Sequence, residues 1–206
     1  MTLYETIQRI VQEELGRVRT AELALVQEQH PHASDSDKEN YACTVRLRDT
    51  GIVLRQVPVA TQRIGGVSIP ATGELVLVQF VGGDVNAPII TGRLYNDEDR
   101  PPVNEDGQAI LHLPLDAGDS DAVHVELYSG DKRELIIRLG DGVEISVRDD
   151  DPVLELKADG EKANVRIDRD GAISLKSQGK VRIEGAEISV EAQGTLDLTG
   201  ATVNIN

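Results

Sequence analysis

The sequence predicts a mainly β protein in three parts. An N-terminal helix is followed by a five-stranded Greek-key barrel of the OB type. A C-terminal β-helix spike, intertwined with other copies of the chain, completes it. Three observations carry this prediction. Apolar residues recur at helical spacing only at the start of the chain. Five short alternating runs, broken by polar turns, then fill roughly the next 75 residues. Beyond Glu134, pairs of aliphatic residues at i and i+2 repeat with Gly or Asp between them, which is the periodicity of stacked short strands. The expected divisions are residues 1–20 (helix), 21–102 (barrel), 103–133 (connecting strands) and 134–206 (spike).

The opening stretch places Leu3, Ile7, Ile10, Val11, Leu15 and Val18 on one helical face and Glu5, Arg9, Glu13, Glu14 and Arg17 on the other. Thr2 followed three residues later by Glu5 has the spacing of a capping box. Such a helix needs a surface to cover its apolar stripe. Its acidic residues and modest length argue against membrane binding.

Strands are expected at residues 22–28, 41–48, 52–59, 74–81 and 88–95. The first two are joined by a polar loop holding His30, His32, Asp35 and Asp37. No third or fourth ligand accompanies the histidines, and the aspartates lack the glycine and terminal glutamate of a calcium loop. The segment therefore reads as solvated loop. Cys43 is the only cysteine; it reads as a small buried hydrophobe and implies no disulfide. In the fourth run, Val76, Val78 and Phe80 alternate with Leu75, Leu77 and Gln79, as in a barrel wall. Gly82-Gly83-Asp84 provides a tight reversal into Pro88, which suits the first position of a strand.

These barrel residues carry a resemblance. Gly73, Val76, Leu77, Val78, Phe80, Gly83, Asp84, Pro88, Gly92, Leu94, Tyr95 and Asn96, with Arg100-Pro101-Pro102 at the exit, are similar to the barrel motif of the phage baseplate assembly protein V family and of VgrG proteins from type VI secretion. The resemblance spans about residues 1–102, and the tail follows in style. It implies a structural, non-enzymatic central spike of a contractile injection system. Its partners would be baseplate hub and inner tube proteins, and its tail would be driven into a target cell envelope.

Between barrel and tail, residues 109–113 and 122–128 alternate again. His112 and His124 stand isolated among apolar neighbours, so strand faces rather than metal ligation are expected for them. This interval is too short for the lysozyme domain that some related spikes insert.

The tail pairs are Ile145 with Val147, Leu154 with Leu156, Val165 with Ile167, Ile173 with Leu175, Val181 with Ile183, Ile188 with Val190, Leu196 with Leu198, and Val203 with Ile205. Two inward aliphatics per strand enclose no core in one copy, since strands usually run to about five or six residues and isolated hairpins are marginal. No aromatic follows Tyr128 to fill a wider interior. A homotrimer burying these pairs along one axis is the simplest closed solution, and closure pairs edges that would otherwise aggregate. A single-chain solenoid is the alternative. Because no histidine follows His124, a histidine metal tip is excluded. Spikes of the family this chain resembles end in a histidine metal tip or carry a PAAR-type cap, so the resemblance implies a separate, PAAR-type tip protein here, with Val203, Asn204, Ile205 and Asn206 as its expected contact.

A formal charge of −15, with 36 acidic against 21 basic residues and 2% aromatics, disfavours a nucleic-acid partner in either double- or single-stranded form. No signal peptide is expected, so synthesis in the cytoplasm follows, and the resemblance implies incorporation into the baseplate of a phage-tail-like particle. No cofactor is expected. An enzyme acting on glycans would need converging carboxylates, and the one dense run, Asp149-Asp150-Asp151, sits before Pro152 as a turn. A tail-fibre-like adhesin is the remaining alternative.

Overall fold

A computed structural model describes residues 2–17 and 19–204, which divide into two compact units at Val103/Asn104. In the first unit, α1 (Leu3–Arg17) opens with the expected capping box. The Thr2 hydroxyl accepts from the Glu5 N–H at 3.3 Å, and the Glu5 carboxylate accepts from the Thr2 N–H at 2.7 Å. Two orphan donors at the helix start are thereby satisfied. Leu3, Ile7, Ile10 and Val11 remain exposed along one face.

Strands β1 (Ala21–His30), β2 (Ala42–Leu47), β3 (Val53–Pro58), β4 (Leu75–Phe80) and β5 (Pro88–Leu94) form one antiparallel sheet in the order β3-β2-β1-β4-β5. Its two outer strands meet: Val59 bridges to Ile90 in parallel, and the Ala60 N–H donates to the Ile90 carbonyl at 2.8 Å. That contact closes the sheet into a small barrel and leaves few open edges. Register shifts at Val26/Glu28 and Leu77/Val78 bend the strands, as bulges do in closed sheets.

The barrel core holds Ala24, Val26, Cys43, Val45, Leu47, Val57, Val76, Val78, Phe80 and Ile90, with Leu54, Val59 and Ile69 packed against it. Val76, Val78 and Phe80 face inward while Gln79 is exposed, as their alternation predicts. Burial pushes the Cys43 thiol above its ordinary range, so it sits inert in the core.

The second unit contains β6 (Gln108–Leu113), β7 (Val123–Ser129), β8 (Arg133–Leu139), β9 (Val143–Arg148), β10 (Leu154–Ala158), β11 (Ala163–Ile167) and β12 (Ile173–Ser177). They form a single antiparallel meander in strictly sequential order. β6 and β7 belong to the same sheet as the later strands.

No strand occurs among described residues after Ser177. The single chain gives the last part of the tail no ladder of its own. The strands expected at Val181 and Ile183, at Ile188 and Val190, at Leu196 and Leu198, and at Val203 are absent from the chain taken singly. Their aliphatics are exposed instead of buried: Ile183 to 75%, Val190 to 67% and Leu198 to 64%, with Val181, Ile188, Leu196 and Val203 about half exposed. Ile205 and Asn206 lie outside the described residues.

The physical reason is turn chemistry and length. Gly160 and Gly171 take positive φ of 65° and 89° in the hairpin turns, whereas Gly179, Gly185, Gly194 and Gly200 do not adopt that conformation. Successive pairs here start only about seven or eight residues apart, which leaves little room for a five-residue strand plus its turn. A segment without a neighbour to bond has no ladder to join. Ile183, Val190 and Leu198 consequently have no facing strand to pack on, and each stands in solvent.

Candidate functional site

Three surfaces and one side-chain cluster are candidates for function. The barrel motif is chiefly a device for turns and core. Gly73, at φ 95°, precedes β4 and donates its N–H to the Val26 carbonyl at 2.9 Å. Gly82 and Gly83 take φ of 63° and 78° in the turn from β4 to β5, a region costly for any residue with a Cβ. Asp84 braces that turn, its carboxylate accepting from the Asn86 backbone at 2.9 Å and side chain at 3.1 Å. Pro88 starts β5. Asn96 closes the exit, its side-chain oxygen accepting the N–H groups of Glu98 and Asp99 at 2.7 and 2.8 Å. A Cβ at Gly92 would meet open space, and nothing in the single chain explains that glycine. Tyr95 is exposed. Beside the barrel, the 61–70 loop carries the exposed Ile64 and Val67; the Tyr41 hydroxyl anchors it by accepting the Ser68 N–H at 2.7 Å.

The second unit presents one aliphatic face. Residues directly opposed in register run Leu111–Val125–Ile137–Ile145–Leu156–Val165–Leu175 across all seven strands. A parallel row runs Leu127–Leu135–Val147–Leu154–Ile167–Ile173. The tail positions named from sequence as far as Leu175 thus share one face. Leu111, Leu127, Val147, Ile173 and Leu175 are exposed on it, Ile173 to 73%. A sheet ordinarily buries such a face against a second layer.

The opposite face is largely polar. Arg138 pairs with the directly opposed Glu144 at 2.9 Å, and Arg148 pairs with Glu134. Burial alone would raise the Glu155 carboxyl, but hydrogen bonds from Asn164 and Lys157 outweigh it and hold that group below its ordinary range. The carboxylate run is also engaged: Arg133 donates to Asp149 at 2.6 and 2.9 Å, Lys132 pairs with Asp150, and Asp151 accepts the Arg169 N–H at 3.1 Å. The hydrogen bond from Lys132 lowers the Asp150 carboxyl and raises the Lys132 ammonium. These are structural turn contacts.

The 30–40 loop is organised by Asp37, which accepts the N–H groups of Ser34, Ala33 and Glu39 and contacts the His32 ring at 2.8 Å. Its carboxyl is held low, chiefly by the Ser34 bond. His30 turns away to the Thr44 hydroxyl at 2.8 Å. His112 and His124 lie on strands, β6 and β7, as expected, but they are not isolated. They are cross-strand partners, their rings edge to face, with Nδ1 atoms 3.2 Å apart.

The closed barrel and its motif define the class of the first unit. Residues 11–95 match the Type VI secretion system/phage-baseplate injector OB domain family, and in this segment the chain is VgrG-like. It is 36% identical over 73 residues to the Type VI secretion system spike protein VgrG1a of Pseudomonas aeruginosa, covering 35% of this chain and 10% of that protein. VgrG1b of the same organism gives the same identity over 35% of this chain and 9% of its own length. VgrG5 is 51% identical over 41 residues, covering 20% of this chain and 5% of that protein. The matched segments thus span a tenth or less of these relatives. No helix among the described residues is long and apolar enough to cross a membrane.

Proposed function

We propose that this chain is a structural subunit of the central spike of a contractile injection baseplate. Its barrel would seat in a hub below the inner tube, and its second unit would assemble with two further copies into a membrane-piercing β-helix. The observation that carries this reading is the aliphatic face of the seven-stranded meander, which one chain leaves uncovered. Strands of five to seven residues offer two or three aliphatics each, too few for a second layer within the chain. Three copies placing these faces around one axis would bury them and leave the ion-paired faces in water. The segment after Ser177 would gain the neighbours it lacks, and Ile183, Val190 and Leu198 with their partners would continue the same interior. The function is then mechanical, and catalysis has no part in it.

Light scattering on the purified protein is expected to give three chain masses. A folded monomer at micromolar concentration would overturn the assembly. In the same reading, the exposed Val203 with Asn204, Ile205 and Asn206 forms the seat of a PAAR-type tip protein. Deleting residues 202–206 should abolish capture of a co-expressed tip protein while the trimer persists; undiminished capture would place that contact elsewhere.

A further inference from the structure

His112 and His124 face each other across the first hairpin of the meander, with Nδ1 atoms 3.2 Å and ring centroids 5.5 Å apart. Those two distances put both Nδ1 lone pairs on one line, the geometry of a straight N–H···N hydrogen bond. Each ring also turns its other nitrogen to a group that only accepts. The His112 Nε2 lies 2.9 Å from the Ala117 carbonyl, and the His124 Nε2 lies 3.5 Å from a Glu126 carboxylate oxygen. Glu126 is itself oriented by Gln108, whose side-chain N–H donates to its other oxygen at 2.8 Å. Three contacts thus each call for a proton, and two neutral imidazoles supply only two. One contact must then set lone pair against lone pair, a costly arrangement for half-buried groups.

We propose that His112 and His124 act as one unit that takes up a single shared proton and clamps the first hairpin of the meander in mild acid. With a proton from solvent added to His124, its Nδ1–H donates to His112 and its Nε2–H to Glu126. His112 keeps its own Nε2–H on the Ala117 carbonyl. All three contacts are then hydrogen bonds, and the imidazolium lies beside a carboxylate. A second proton would set N–H against N–H, so uptake stops at one. Arg138 of β8 is opposed to His124 in register and disfavours the charge, but its guanidinium is drawn to Glu144 of β9 at 2.9 Å. The loop that delivers the Ala117 carbonyl adds Asp116, Asp119 and Asp121, whose charges favour it. Unfolding separates the rings and loses the shared position. Stability therefore rises as pH falls into the imidazole range and is lost as pH climbs back through it. Further acidification gives the unfolded chain two protons against one, and the trend reverses. β6 is an edge strand bonded only to β7, so the proton governs how firmly the meander holds its first strand. The site lies within a single chain and stands apart from the trimer proposed above.

Full-length protein labelled with nitrogen-15 at its four histidines reads the shared proton without any variant. At about pH 6 a scalar coupling across the hydrogen bond should join the His112 and His124 Nδ1 nuclei, with both His124 nitrogens protonated. No such coupling anywhere between about pH 5 and 8 would overturn the proposal. Melting temperatures across the same range should be compared with those of the double variant His112→Gln with His124→Gln. His30 and His32 are common to both proteins, so the difference isolates the pair. That difference should peak in the mildly acid range and shrink on either side; parallel profiles would overturn the proposal. Glu126→Gln removes the facing charge and should move the peak to lower pH. A peak that stays in place would overturn the placing of the proton on His124.

Discussion

Ile145→Asp should dissolve the assembly. Ile145 sits in the middle of the aliphatic face, opposed to Ile137 on one side and Leu156 on the other. In a trimer, three copies of the new carboxylate would meet near one axis, without partners and out of water. Burying an unpaired ion costs several kcal/mol, and mutual repulsion of three like charges adds to that. Light scattering should report a loss of the three-chain species, and circular dichroism a large fall in the melting temperature. Lys176→Ala, on the opposite and solvated side of β12, is the control, with an expected effect within about 0.5 kcal/mol. Equal melting of the two variants would mean that the aliphatic face is not the buried one.

Phe80→Ala should be the most damaging truncation in the barrel. Phe80 is the sole phenylalanine of the chain, closes β4 opposite Pro88, and is 5% exposed. Its neighbours in the core are mostly valines, whose stiff, short side chains collapse poorly into a vacated volume. The expected cost is about 3–5 kcal/mol, a large share of the roughly 5–15 kcal/mol that holds a domain together. Urea unfolding should show it as a lowered midpoint. Gln79→Ala, one residue away and facing solvent, should leave the midpoint nearly unchanged. A shift no larger than that of Gln79→Ala would mean the core does not depend on this ring.

What could be read from the sequence follows from what periodicity encodes. Alternation in 74–81 marked Val76, Val78 and Phe80 as the inward set, because side chains on a strand change face at every residue. The turn glycines before and after β4 were legible too, since few other residues accept positive φ. Strand pairing was harder. Alternation shows which face is apolar, yet a repeat of i, i+2 pairs serves a meander and a wound rung alike. The sheet order therefore became visible only in the fold.

The histidine pair was hidden for the same reason. Its register depends on how the loop of residues 114–122 folds back, and no pattern in the residues around His112 or His124 announces that they face each other. The engagement of Asp149 and Asp150 by Arg133 and Lys132 likewise rests on the β8–β9 register. After Ser177 the hydrophobic pattern continues through Ile183, Val190 and Leu198 while the turn geometry does not, and the sequence alone could not separate the two. In the proposed assembly, neighbours supplied by other copies would provide what one chain lacks.

The sequential order of the meander also bears on how such a tail can change length. Each strand is bonded only to those immediately before and after it in the sequence, so the unit behaves as a linear array whose stability is close to a sum over neighbours. Removing or duplicating one strand with its turn would reverse the direction of everything downstream. Removing or duplicating two, such as β10 with β11 and their turns, would preserve both direction and the inward set of side chains. Hairpins are therefore the natural quantum of variation, and reach can be adjusted in that step without rebuilding the barrel that precedes it.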